Sequence, residues 1–460
     1  MHHLLFMIVA TGFGVAGTFA IHPFCGIAIY YLFAVLRPQF LWEWSLPLDF
    51  PWSMYIALSV MVAIFIWRFA VMLAPRRNRG FDSPGFCIGH WTMLLFAVWI
   101  TVTCYTAISV YTALPFYAEY RKIFLMFFVS ALAITRIQQL WTLFLIATLS
   151  LIYIAVEINQ IYFFQGGYMF VFNRGYAGLD NNGAALMLAM GVPLSLFAWD
   201  GIRHWSRWGF LLAIPIIIHA VLTSYSRGAM LSLILSIPVY LARCQRRGQL
   251  LLILAALLAM VPLLAGKEIQ DRFLTLDNAE QDGSAQSRLT SWGIAWRMAQ
   301  DRPILGYGIR NSSLFTFSHG ADMEGRVIHS QYLQLAADSG IVGLAMYLLA
   351  IGAFFYCLRS VRQRVKGHTS LFSYILAIGY LLVSGRWAPK RNQTGRDDPE
   401  TMRAYTIANG LEGAMVVFFI GAIFLSMETF ELPYILMLMG AQLWAICRWE
   451  DRRAALPKFG

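Results

Sequence analysis

The sequence predicts an all-α, polytopic integral membrane protein, with about twelve transmembrane helices and one large periplasmic loop containing amphipathic helices. Three observations carry that prediction. First, 59% of the 460 residues are hydrophobic and only 13% are charged, whereas a soluble domain carries about 25% charged residues. Second, the apolar residues form long runs, such as 208–222 and 250–264, and not the short alternating segments of an outer-membrane barrel. Third, the basic residues behind the formal charge of +11 fall mostly in short loops. They therefore mark topology and do not form a nucleic-acid face.

Taken in order, the chain opens with an apolar stretch, 1–36, broken at His22-Pro23. It lacks a basic amino-terminal region and stays apolar past Ala20, so it does not read as a cleavable signal peptide. One broken crossing or two half-helices would both satisfy the charge parity. Trp42, Trp44 and Trp52 then suit a headgroup belt. Spans are expected near 54–74, 90–112, 120–135, 139–158, 183–199, 208–224, 228–242, 249–265, 340–357, 405–425 and 433–448. Arg76, Arg77 and Arg79, Arg136, Arg203 and Arg207, Arg243, Arg246 and Arg247, Arg359, Arg362, Arg364 and Lys366, and Arg448, Arg452 and Arg453 are expected on the cytoplasmic side. The loops 113–119, 159–182, 225–227 and 266–339 then fall in the periplasm. Segment 371–384 is short for a span and is followed by Arg386, Lys390, Arg391, Arg396 and Arg403. It reads as interfacial or re-entrant, with the carboxy terminus inside. The chain thus divides into an N-terminal transmembrane bundle (1–265), a periplasmic catalytic loop (266–339), and C-terminal transmembrane helices with a cytoplasmic basic loop (340–460). The six cysteines are scattered without CxxC spacing, so neither a disulfide framework nor a zinc site is expected.

The large loop holds most of the polar chemistry. Leu289, Trp292, Trp296 and Ala299 are spaced as one apolar helix face, suited to lying on headgroups, with Arg288 beside the stripe within reach of a lipid phosphate. Ser284 or Ser287 can cap that helix and Pro303 ends it. Gly306-Tyr307-Gly308 permits a tight turn but is no phosphate loop, since no Gly-Lys-Ser/Thr follows. His329 stands where a helix enters the membrane, with Arg326 three residues away. A lone histidine is more often structural, but an imidazole at such a boundary can accept a proton near neutral pH. Asp338-Ser339-Gly340 interrupts that helix, where Asp338 can cap the next span. Arg227 lies at the outer end of a span, a costly place for a charge; snorkelling to the interface is the alternative. Arg174 and the Asp180-Asn181-Asn182 run add polar groups on the same side. Glu428 and Glu431 are the one close acidic pair expected outside, a weak metal signal, while Asp397-Asp398 falls in a cytoplasmic loop.

These motifs resemble the O-antigen ligase and polymerase superfamily. The resemblance rests on Ser226-Arg227-Gly228, Arg288 with Trp292, the run 301–308, the run 329–334 and Asp338-x-Gly340. The family usually shows His-Asn and Glu-x-Gly where this chain has His329-Ser330 and Asp338-x-Gly340. Asp180-Asn181-Asn182 and Arg37-Pro38-Gln39 resemble the O-glycosylation ligase branch. The resemblance implies a glycosyltransferase of the Gram-negative inner membrane, with its site facing the periplasm. The donor would be a glycan on undecaprenyl diphosphate. The acceptor would be the lipid A-core in ligases, another carrier-linked repeat unit in polymerases, or a protein Ser or Thr in O-oligosaccharyltransferases. No cofactor, metal, nucleotide sugar or nucleic acid is implied. Arg227 and Arg288, with Arg174 and Arg326, would bind the diphosphate; His329 would be the general base, supported by Trp292, Asp338 and Asn182. A transporter is the reading from another class. It needs polar or broken helices at mid-membrane, whereas the polar residues here gather at one face.

Overall fold

The computed structural model describes residues 2–47, 50–73, 83–264, 283–320, 327–364 and 399–455. Among them no strand forms, only an isolated bridge between Tyr176 and Leu179. The helices are α1 (His2–Ala20), α2 (Phe24–Leu36), α3 (Pro38–Leu41), α4 (Trp52–Leu73), α5 (Ile88–Tyr105), α6 (Val110–Ala133), α7 (Ile137–Phe164), α8 (Phe170–Arg174) and α9 (Asn181–Gly201). They continue as α10 (Arg207–Leu222), α11 (Arg227–Arg243), α12 (Arg247–Leu264), α13 (Gly283–Asp301), α14 (Ser312–Phe315), α15 (Gln331–Gln363), α16 (Pro399–Gly421) and α17 (Glu431–Ala454). Each expected span has its helix. By length and hydropathy, six described helices can cross a membrane: α1, α5, α7, α9, α15 and α16. That is fewer than the twelve crossings expected. Segment 371–384, Arg326 and Asp397-Asp398 lie outside the described residues.

The break at His22-Pro23 yields two helices that fold back on each other, with Gly14 against Ile29 and Gly17 against Cys25. At the centre, α9 is buried almost throughout. A helix apolar on every side belongs inside a bundle. It packs most extensively against α16 and α10. Gly413 lets α16 approach Pro193, and Gly421 meets Leu186; small residues at such crossings let backbones close up.

Two expectations about arginines are corrected. Arg243 and Arg362 are not solvated loop charges: both are buried, and both bind Glu412 in the middle of α16. Arg243 Nε donates to Glu412 Oε2 at 2.6 Å, Arg243 Nη2 to Oε1 at 3.1 Å, and Arg362 Nη2 to Oε1 at 2.8 Å. One carboxylate therefore ties α11, α15 and α16 together. Polar groups consequently sit inside the bundle here too, and not only at the end where the large loop attaches.

At that loop end, α15 breaks at Gly340, whose φ of 73° and ψ of 170° leave the helical region. A break strands backbone groups that must be satisfied elsewhere. Tyr307 N–H donates to Ala337 O at 2.9 Å, Gly308 N–H to Asp338 O at 2.8 Å, and Ile341 N–H to Pro303 O at 2.8 Å. Trp99 Nε1 donates to Ser339 O at 2.9 Å. The 303–308 turn is thus stitched to the break. A Cβ at Gly340 would strike Ile304 O, and one at Gly306 would strike the Asp338 backbone.

Candidate functional site

The site grows from helix starts that meet beside this stitched turn. Asp180 caps α9, its Oδ1 accepting from Gly183 N–H at 2.8 Å. The chain enters α11 through Tyr225, held at φ 56°. Ser226 Oγ donates to Asn182 Oδ1 at 2.8 Å, and Asn181 Nδ2 donates to Ser224 O at 3.2 Å. Ser226 therefore serves the α9 contact and does not cap α11. Gly228 and Ala229, in the first turn of α11, line a small crevice with Asn182, Ser226, Arg288 and Phe424. A helix amino terminus beside a guanidinium is a good setting for an anion.

Opposite stands α13. Trp292 Nε1 donates to His329 O at 3.1 Å, and its ring centroid lies 6.0 Å from that of Phe424. Gln331 N–H donates to Ala422 O at 2.9 Å. Segment 327–330 is thereby clamped between α13 and the loop after α16. His329 is half-buried there. Burial holds its pKa below the usual 6.5, the Arg288 cation lowers it further, and the Asp180 carboxylate opposes both. Arg288, His329, Trp292, Asp180 and Asn182 are thus one neighbourhood, with Arg227 next to Ser226 at its edge. Arg174 is exposed at the end of α8 with its guanidinium 5.9 Å from the Phe170 centroid. Arg326 lies outside the described residues.

Three local expectations change. The helix α13 begins at Gly283, so Ser284 and Ser287 fall within it and not at its cap. Its buried face is Ser291, Ile294, Ala295, Met298 and Ala299, while Leu289 and Trp296 are exposed; the predicted stripe is split between packing and surface. Asp338 does not cap the next helical segment. Its Oδ1 accepts from Ser312 N–H at 3.0 Å, and its Oδ2 accepts from Arg310 N–H at 2.9 Å and from Gln334 Nε2 at 2.7 Å. It anchors the 310–312 loop.

Sequence reasoning missed a neighbouring cavity. A cavity of about 900 Å³ opens next to the crevice, lined by Arg37, Glu119, Arg121, Lys122, Arg310 and Glu428 among others. Asp180 and Gly183 line it too, so the start of α9 separates cavity from crevice. Glu428 is 1% exposed, with Arg310 Nε 3.9 Å from its Oε2. Burial pushes its pKa up to about 8; Arg310 lowers it and Asp338 raises it. The non-glycine residues at positive φ among those described are Arg37, Ala177, Tyr225 and Arg310, and all four lie beside the crevice or the cavity. Such backbone outliers gather at functional sites. The sequence signal was faint: Glu119, Arg121 and Lys122 stand at the edge of an expected apolar span.

A sequence model of the O-antigen ligase family matches residues 211–348, a stretch that holds Arg227, Arg288 and His329. Over that stretch the chain is similar to the O-antigen ligase superfamily. A candidate polysaccharide ligase of Rickettsia prowazekii (strain Madrid E) is 25% identical over 335 residues, 69% of this chain and 79% of that protein. These similarities point to a ligase- or polymerase-type enzyme that joins lipid-linked glycan to an acceptor, in a multi-pass membrane protein. The matched ligase stretch leaves out Asp180, Asn182, Arg37 and Glu428, whose place beside it comes from the geometry alone.

Proposed function

We propose that this protein is an O-antigen ligase that transfers a glycan from undecaprenyl diphosphate to the lipid A-core, at the periplasmic face of a bacterial inner membrane. The observation that carries the reading is that Arg288, on the crevice at the start of α11, lies within electrostatic reach of His329. The acceptor hydroxyl attacks the anomeric carbon while His329 takes its proton. The bond from that carbon to the phosphate oxygen breaks with inversion, and the electron pair leaves on the diphosphate. Arg227 and Arg288 hold that growing charge by forked, charge-assisted hydrogen bonds. A depressed histidine pKa keeps the imidazole neutral, the form a base requires.

Asp180-Asn181-Asn182, at the boundary of crevice and cavity, resembles the O-glycosylation ligases and favours a protein hydroxyl as the second reading. Purified protein incubated with lipid-linked glycan and, separately, lipid A-core, a Ser/Thr-bearing protein or a second carrier-linked unit tests both. Product on lipid A-core alone supports the first reading. Product on the protein alone supports the second, and product on the carrier-linked unit makes the enzyme a polymerase. No product with any acceptor removes the transferase reading.

A further inference from the structure

The cavity beside the crevice has polar groups that neither the fold nor the diphosphate reading uses. Glu428 Oε1, Arg310 Nε, Arg37 Nη1 and Ser426 Oγ are buried, have no hydrogen-bond partner among the described residues, and belong to residues lining this one space. Buried polar atoms are almost always satisfied, so four around one cavity call for a ligand. The 3.9 Å between Arg310 and Glu428 is too long for a hydrogen bond. It leaves a guanidinium and a carboxyl side by side, a pairing that binds phosphate oxygens and sugar hydroxyls together.

Beside Glu119, Arg121, Lys122 and Glu431, the lining has an apolar wall: Phe33 and Ala34 from α2, Ala57 and Met61 from α4, and Leu125 and Met126 from α6. Met54 and Leu58, also in the lining, are 50% and 46% exposed on the outside of α4, so the cavity reaches the bundle's flank. A ligand that matches charged groups at the loop end and an apolar wall running to the flank is an amphiphile with an anionic, hydroxylated head. The crevice already offers Arg288 and the α11 terminus to a diphosphate. A transfer between two substrates needs a second chamber, and Asp180, which the His329 imidazole feels, lines this one.

We propose that the cavity between α2, α4 and α6 binds a phosphate-bearing glycolipid, with Arg37 and Arg310 on its anionic groups and Glu428 on its hydroxyls. Its role as the acceptor rests on the transfer reading above; its binding does not.

The test uses the full chain in detergent and native mass spectrometry. The probes are lipid A carrying core sugars and, separately, undecaprenyl diphosphate. Glu428→Leu should weaken glycolipid retention at least tenfold and leave carrier retention within twofold, whereas Glu428→Gln, which keeps hydroxyl-binding atoms, should retain most of it. Leu58→Trp, at the exposed mouth where folding is not at stake, should weaken glycolipid retention as well. Loss of carrier retention in place of glycolipid retention would overturn the proposal by assigning the chamber to the donor. Unchanged retention of both probes would overturn it outright. Chamber-dependent glycolipid binding by a protein that shows no transfer would uphold the binding site and remove only the acceptor role.

Discussion

Two of the buried polar clusters, around Glu412 and around Glu428, differ in how their carboxylates are partnered. Around Glu412, two arginines close on both carboxylate oxygens with bonds of 2.6, 2.8 and 3.1 Å, and Arg362 Nε is left without a partner among the described residues. Around Glu428, among the described residues, a single arginine stands off at 3.9 Å, and Glu428 Oε1 and Arg310 Nε both face the cavity without a hydrogen-bond partner. The first arrangement locks α11, α15 and α16 to one another. The second faces a cavity beside His329. A buried carboxylate bonded at both oxygens supports the fold, while one left open at a cavity is set for something from outside. The Glu412 cluster should therefore govern stability, and the groups at the loop end should govern turnover.

The sharpest way to separate the two is His329→Gln. General-base catalysis is worth about 10²–10⁴-fold, so the transfer rate should fall by that order. Retention of undecaprenyl diphosphate and the melting temperature should stay near those of the unaltered protein. A variant that instead melts early but turns over normally once folded would make His329 a structural residue.

Glu412→Ala should do the reverse. It leaves two buried guanidinium groups without their carboxylate, a change that costs about 3–5 kcal/mol. Thermal-shift measurements should show a large drop, with turnover per folded molecule close to normal. Loss of turnover at full stability would move this cluster into the catalytic machinery.

Arg227→Ala and Arg288→Ala should have smaller effects on rate. A hydrogen bond to a charged group contributes about 1.5–3 kcal/mol, so each should slow transfer by roughly 10- to 100-fold. Lysine should rescue only in part, because it lacks the planar fork. Normal kinetics in both alanine variants would remove the arginines from the site. The smallest expected effect is that of EDTA. If arginines neutralise the diphosphate, transfer should survive the chelator; inhibition reversed by Mg²⁺ or Mn²⁺ would contradict that.

The helices were legible because long apolar runs leave the chain few alternatives in a membrane. Their partners were not. The central helix α9 and the peripheral α4, whose Met54, Leu58 and Phe65 are exposed, read alike in sequence, since protein and lipid surroundings both favour apolar side chains. The amphipathic pattern of α13 was visible, but periodicity does not distinguish a face packed on Tyr307, Ile328 and Ala337 from one laid on headgroups. Arg243 and Arg362 looked like loop charges because their partner, Glu412, lies in another helix far along the chain. Within the site, His329, Arg288 and Arg227 stood out because each interrupts or borders an apolar run. The cavity did not, because residues from Met7 to Glu431 build it, and only folding brings them together. Gly306 and Gly340 were legible as turn and break; that each closes against the other was not.

The central claim is that His329 acts as a base whose proton affinity Arg288 helps to set. Burial and the Arg288 cation both disfavour the charged imidazole, so the folded pKa lies below the ordinary value of about 6.5. The neutral, active form then persists above that lowered pKa and is lost as pH falls through it. The measurement is transfer rate against pH, under saturating donor and acceptor, for the unaltered protein, His329→Gln and Arg288→Ala. The account predicts an acid limb with its midpoint below 6.5, abolished in His329→Gln and moved upward by about one pH unit or less in Arg288→Ala. An acid limb that persists unchanged in His329→Gln would contradict it.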